Sequence, residues 1–296
     1  MIKKTICILL CFIVGTVFTA CNTPSSSTTS SIVDYVPDYP IAINGVTVKR
    51  CPERVISLSP VLTDVVFSLG SNDRLVGVSD YCSIPFGIKE LPSLGTAANP
   101  RAEQLIELNP EIVLTSVGLS YDLMEKLKLR NIPVVTIKAA KNEEDLPRLY
   151  QQTAQVMSGK IAGKTNADNT LGLLIKKLEQ IKGKTQGSKK TKAALILDDP
   201  SAVATGDTLA GYVLTCAGAE NVAQKGKNYE FSQEELAAAD PDIIFCSQTD
   251  REKIKQKFSC KIVVVDIRTI ERQGDSIIGQ AEKMAKEMFP DRFSDE

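Results

Sequence analysis

The side chains able to do covalent or acid–base work are unevenly supplied: eight Cys and 36 Asp plus Glu, but no His and no Trp. Without an imidazole, Ser-His-Asp and Cys-His catalysis are excluded, and so are zinc patterns built on HExxH or Cys2His2. That leaves carboxylate, thiolate, Tyr or Lys for an enzyme or metal site. Asp198 and Asp199 are the obvious carboxylate pair. Neighbours on an extended segment point to opposite sides, so these two serve one substrate poorly unless the strand has ended in a turn. The Cys spacing builds no CxxC unit, and the aliphatic neighbours of Cys246 suit a small buried residue better than a ligand. A disulfide between Cys216 and Cys260 stays open. The residue types therefore favour binding over catalysis. With 35 basic side chains against the 36 acidic ones and no long basic run, no nucleic-acid partner is expected.

The elements that must hold such a binding site read as two α/β units. RVISLS is a β-rich run stopped by Ser59-Pro60, VLTDVVFSLG has helical apolar spacing up to Gly70, and LVGVS, EIVLT and IPVVTI are further strands. A second round runs through KAALILDD, a helical YVLTCAGAEN, SQEELAAADPDIIFCS and KIVVVD. Glu234 and Pro241 repeat the spacing of Glu103 and Pro110, each followed by an acidic residue and an aliphatic strand. Between the rounds, residues 142–187 carry little strand signal and read as a bridging helix, with Gly159, Gly163 and Gly172 as its weak points. The fold class expected is α/β: two Rossmann-like lobes with parallel sheets bridged by one long helix, the lobes spanning 51–141 and 188–296.

In parallel α/β units the loops at the carboxyl ends of strands form ligand crevices, and two facing lobes make a cleft. Its rim, read from loop placement, includes Ser59, Tyr81 and Asn99 in the first lobe and Asp199, Ser247 and Arg268 in the second. Most polar loop residues only form turns or caps. Tyr81 and Arg268 stand out, because an aromatic face stacks on a planar ligand and a guanidinium offers paired donors to an anionic or amide oxygen.

Ahead of the lobes, residues 1–20 pair Lys3 and Lys4 with an apolar stretch ending in small residues before Cys21, the pattern of a secretory signal. Residues 21–50 then begin with a low-complexity Ser/Thr tether and lead into the first lobe. The junction resembles a bacterial lipoprotein signal, with Phe18 where Leu is more usual. That resemblance implies a lipidated Cys21 at the mature amino terminus and a location in the cell envelope, facing the periplasm or the exterior. The tether favours anchoring over ordinary secretion.

RVISLSPVLTDVVFSLGSNDRLVGVSDYCSIP and LPSLGTAANPRAEQLIELNPEIVLTS, then GDTLAGYVLTCAGAENV, SQEELAAADPDIIFCS and ERQGDSIIGQAEKMAKEMFPDRF, resemble in that order the periplasmic solute-binding proteins that deliver vitamin B12, haem or ferric siderophores to ABC importers. The resemblance covers roughly residues 52 to 293. It implies limited closure of two lobes on a cargo, no turnover, and docking of Glu103 and Glu234 against Arg residues of a membrane permease served by a cytoplasmic ATPase. A monomer is expected. Because family members that bind zinc or manganese use His, the composition disfavours that branch and His-ligated haem, so neither a resident metal nor a cofactor is expected. The matching aromatic position at Tyr81 points to a corrinoid, with a ferric siderophore or haem as alternatives. Trp contacts of that pocket are missing, and Phe86, Tyr229 or Phe231 are the available replacements. Asp275 stands where an Arg is common and Phe289 where a His is frequent; Asp275 is read as capping the last helix, Phe289 as packing. A carboxylate-dependent secreted hydrolase and a surface adhesin are the competing classes.

Overall fold

Short aliphatic runs bounded by turn residues become strands, and amphipathic runs between them become helices, in a computed structural model that describes residues 38–294 apart from Phe86 and residues 198–201. The entry segment forms a hairpin of β1 (Ile41–Ile43) and β2 (Val46–Val48), turned by Asn44 and Gly45, both at positive φ. The first lobe follows with β3 (Val55–Ser57), α1 (Pro60–Ser68), β4 (Leu75–Val78), α2 (Ala102–Glu107), β5 (Ile112–Thr115), α3 (Tyr121–Lys128) and β6 (Val134–Thr136). Its strands lie in the order β4-β3-β5-β6, all parallel.

Two helices come next, α4 (Leu146–Ser158) and α5 (Lys160–Thr185). The helical stretch read as one bridge is therefore broken at Gly159, while Gly163 and Gly172 lie inside α5. The break has a clear cause. Gly159 sits at φ +88, and a Cβ there would stand 2.5 Å from the Cβ of Asp38. Asp38 occupies that space to cap α5, its carboxylate accepting from Ile161 N at 2.6 Å and Ala162 N at 3.4 Å. The 26 residues of α5 extend about 39 Å at 1.5 Å per residue, enough to carry the chain from one lobe to the other.

The second lobe comprises β7 (Lys192–Leu195), α6 (Leu209–Cys216), β8 (Glu220–Asn221), α7 (Gln233–Ala239), β9 (Ile243–Cys246), α8 (Arg251–Lys255), β10 (Lys261–Val264), α9 (Ile267–Glu271) and α10 (Ser276–Met288). Its parallel sheet runs β8-β7-β9-β10. In both sheets the first strand is internal, the second lies to one side, and the third and fourth lie to the other. The shared order makes the repeat a repeat of topology. One element departs from the sequence reading: α6 stops at Cys216, and Glu220 and Asn221, read as helix, pair with β7 instead.

Ala167, Leu171, Leu174, Leu178 and Ile181 recur at helical spacing along α5 and are buried. They join Val65 of α1, Leu149 of α4, Val213 of α6 and Met284 of α10 in one continuous core spanning both lobes. Each fully buried Leu contributes about 1.5–3 kcal/mol, so this shared layer ties the lobes together on the side away from the outer helices. A second cluster lies under α2 and α3, and a third under α7 and α8. The central strands of both sheets are thus packed on both faces, which is why β5 and β9 are uniformly buried.

Candidate functional site

The carboxyl ends of β3 and β4 carry a buried chain of hydroxyl and thiol groups. Thr63 Oγ1 donates to Ser57 Oγ at 2.9 Å, Ser57 Oγ donates to the Ser59 carbonyl at 3.1 Å, and the Cys82 thiol lies 3.1 Å from Thr63 Oγ1 and 3.2 Å from Ser79 Oγ. Ser59 itself is buried, and its hydroxyl caps α1 by accepting from Leu62 N at 3.4 Å. Its side chain is engaged in holding the start of that helix.

Beyond that chain of groups, Tyr81 projects from the turn after β4, 58% exposed. Across from it stands Arg268, second residue of α9, with its guanidinium carbon 5.9 Å from the Tyr81 ring centroid. The two rim residues singled out from the sequence, one from each lobe, therefore meet. Asp80 fixes the turn that presents Tyr81. Its carboxylate accepts from the Ser93 hydroxyl, from Gly95 N at 2.9 Å and from Arg101 at 3.5 Å. The Ser93 hydrogen bond, with Gly95 and Arg101 in support, holds that carboxyl below its ordinary range against a smaller effect of burial. Asn99 is exposed in the same Gly95–Arg101 loop.

In the second lobe, Ser247 follows β9 and closes its own turn: its hydroxyl donates to Asp250 Oδ2 at 2.8 Å and lies 2.7 Å from Thr249 Oγ1. Asp207 cages another loop, accepting from Thr205 Oγ1 at 2.6 Å and from Asn228 N at 3.1 Å. That loop holds Tyr229 half-buried, its phenol pushed up chiefly by burial. Phe231 is partly buried and packs against the outer cluster under α7 and α8. Asp199, Asp198, Phe86 and Cys21 lie outside the described residues.

Glu103 and Glu234 occupy the same place in the repeat. Each is the second residue of its helix, exposed, and two residues before a fully buried leucine, Leu105 or Leu236. Both helices lead into the third strand of their sheet and so start at its carboxyl edge. Two residues missed from the sequence share that edge: Val117 and Tyr121, after β5, are 51% and 78% exposed. The apolar residues of Val117-Gly118-Leu119 inside a loop were the available signal.

The structure closes one open question and corrects one expectation. Cys216 and Cys260 are both free, along with Cys51, Cys82 and Cys246. Cys216 lies in the shared core and Cys260 against the outer cluster, on opposite faces of the second sheet, so they form no disulfide. Asp275 sits at the start of α10, yet its side chain makes no capping hydrogen bond; its backbone N–H donates to Ser68 Oγ instead. Phe289 is buried. Among the described residues no group of three His, Cys, Asp or Glu side chains is placed to hold a metal ion. A groove of about 1020 Å³ lined by Val46, Met124, Ile132 and Val134 opens at the amino ends of β5 and β6, the end of the first lobe opposite Tyr81.

Comparison with known proteins agrees with this architecture. The chain is 25% identical to an uncharacterised ABC transporter substrate-binding lipoprotein of Bacillus subtilis, YvrC, over 93% of this chain and 94% of the relative. It is 26% identical to the vitamin B12-binding protein of Vibrio parahaemolyticus over 71% of this chain and 76% of the relative. The crystal structure of the periplasmic haem-binding protein HutB of Vibrio cholerae superposes with a TM-score of 0.66 at 21% identity, covering 80% of this chain and 99% of that one. With the periplasmic binding protein family model matching residues 55–269, from β3 into α9, the chain belongs to that family.

Proposed function

We propose that the protein is the substrate-binding lipoprotein of an ABC importer, capturing cobalamin or another corrinoid in the cleft and delivering it to a membrane permease. The observation that carries the reading is the meeting of Tyr81 and Arg268 from facing lobes. A flat macrocycle entering between them gains an aromatic face on one side and paired N–H donors on the other. The name of the Vibrio relative, a vitamin B12-binding protein, supports a corrinoid. The charge of Arg268 favours a second reading, in which an anionic haem or ferric siderophore takes the same place.

In this reading the protein performs no covalent step. Cargo displaces the Arg268–Tyr81 contact, the lobes adjust slightly, and the loaded protein docks through Glu103 and Glu234 on the permease, whose cytoplasmic ATPase drives import. Lipidated Cys21 and the tether after it hold the protein at the envelope, outside the cytoplasm. Titration calorimetry with cobalamin, cobinamide, haemin and a panel of ferric siderophores tests the reading. One-to-one binding of one class is expected. If none binds more tightly than millimolar, about −4 kcal/mol, the reading is wrong.

A further inference from the structure

The short helix bearing Arg268 is fastened at its far end to the other lobe. Immediately after α9, Gln273 is buried at φ +68 and pairs its side-chain amide with the backbone of Ala140 in two places: Ala140 N donates to Oε1 at 2.8 Å, and Nε2 donates to the Ala140 carbonyl at 2.7 Å. The buried Tyr150 hydroxyl of α4 donates to the Gln273 carbonyl at 3.1 Å. Burial, and then the charges of Asp275 and Asp64, push that phenol up, so it stays a donor.

The next two residues are held by α1. Gly274 N and Ser276 Oγ both donate to one carboxylate oxygen of Asp64, Oδ2, at 2.9 and 2.7 Å, and Asp275 N donates to Ser68 Oγ at 2.9 Å. The approach is too close for any side chain: a Cβ on Gly274 would stand 2.3 Å from Asp64 Oδ2. Burial pushes the Asp64 carboxyl up, opposed by the bonds from Ser276 and Gly274, so this carboxylate is desolvated to serve the junction.

We infer that Asp64 is a positioning residue for the cleft: by holding Gly274 and Ser276 to α1, it sets the α9 to α10 junction against the first lobe and thereby places Arg268 over Tyr81. Arg268 and Gln273 are five residues apart, a lever of about 8 Å at helical rise, so a shift at the junction reaches the guanidinium with little attenuation. α5 and the shared core join the lobes as well, and that core takes in Ile267 and Ile270 of α9. Asp64 and Gln273 fasten the residues that follow α9, Gln273 through buried and Asp64 through part-buried polar bonds, and bonds of this geometry hold only at one relative placement of the lobes. The consequence for cargo rests on the function proposed above, whereas the placement of Arg268 does not.

The test reads that placement without cargo. In isotope-labelled protein, side-chain protons of Arg268 lying over an aromatic ring are moved upfield, and Tyr81→Leu gives their reference position. Asp64→Ala is expected to carry the Arg268 signals most of the way to that reference. Asp64→Asn is expected to keep them in place, because one oxygen serves both donors and Asn retains an oxygen. Should Asp64→Ala fail to fold, Asp64→Ser is read instead: its hydroxyl is too short to reach both Gly274 N and Ser276 Oγ, and the same displacement is expected. Arg268 signals unchanged in the folded variant, or displaced equally by Asp64→Asn, overturn the inference. Failure of wild-type protein to bind any cargo would count against the proposed function and leave this readout intact.

Discussion

Tyr81 and Arg268 stand 5.9 Å apart across the two lobes, and both are exposed. A cation–π contact at such a site is worth about 0.5–1 kcal/mol, little enough for an arriving ligand to replace both halves of it. The pair is thus a weak surface contact rather than a structural lock.

The two residues should then separate cargo classes. Arg268→Ala removes charge-assisted hydrogen bonds worth about 1.5–3 kcal/mol to an anionic ligand, so haemin affinity should fall at least about tenfold, with a smaller loss for cobalamin. Tyr81→Ala removes stacking of about 0.5–1.5 kcal/mol and should weaken either ligand by a few-fold. Calorimetric titration of both variants checks this. Equal losses for haemin and cobalamin in Arg268→Ala would remove the guanidinium from anion recognition.

The amino-terminal cap of α5 makes a separate prediction about the frame. Asp38→Ala leaves Ile161 N and Ala162 N without their carboxylate acceptor, at about 1 kcal/mol. Gly159→Ala places a Cβ into the Asp38 side chain at a left-handed backbone position and should cost about 1–3 kcal/mol. Urea unfolding midpoints should fall for both, further for Gly159→Ala. An unshifted midpoint in Asp38→Ala would mean that the helix end is satisfied by water.

How much of this frame was legible follows from where its bonds run. Strands such as Ile112–Thr115 and Ile243–Cys246 and the repeated Glu103 and Glu234 are local patterns, readable from apolar runs between turn residues. β8 was not, because Glu220 and Asn221 have no apolar pattern and are strand only through their partners Lys192 and Ala193. The hairpin at Asn44-Gly45 carried a standard turn signal that the tether reading passed over. Asp38 and Asp64 were illegible for another reason. Each carboxylate is defined by backbone donors more than a hundred residues away, at Ile161 and Gly274, and no spacing rule reaches that far. Tyr81 and Arg268 were found by residue type and loop position, but their meeting could come only from the packing of the lobes.

The Asp80 cage should make stability depend on acid. The folded protein holds this carboxyl below its unfolded value of about 3.9, so its stabilisation is fully present above that value and is lost as pH falls through the depressed folded value. Asp80→Asn should therefore melt lower than wild type at pH 6, with the difference shrinking toward pH 3. Scanning calorimetry across that range decides it. A difference that stays constant with pH would show that the carboxylate charge plays no part.

Among the thiols, Cys246 should be the most inert. It is fully buried at the end of β9, and burial, helped by the charge of Asp250 and opposed by Arg251, pushes it up to about 11. At pH 8 almost none is thiolate, so iodoacetamide should leave it unlabelled in folded protein and modify it in denaturant. Peptide mapping checks this. Labelling of Cys246 as fast as that of half-buried Cys82 would mean that the second lobe opens locally.

Glu103 and Glu234 offer the sharpest separation of capture from delivery. Both are exposed near the start of their helices, and neither carboxylate is needed by the core that Leu105 and Leu236 build beneath it. Removing them should change stability by no more than about 0.5 kcal/mol. A permease reading two symmetric anionic points loses both in the double variant Glu103→Ala with Glu234→Ala. Cargo affinity should be unchanged, while import by reconstituted vesicles should fall sharply, each single variant losing less than the pair. Full transport by the double variant would show that the repeated positions reflect duplication of the lobes alone, with docking placed elsewhere on the carboxyl edge.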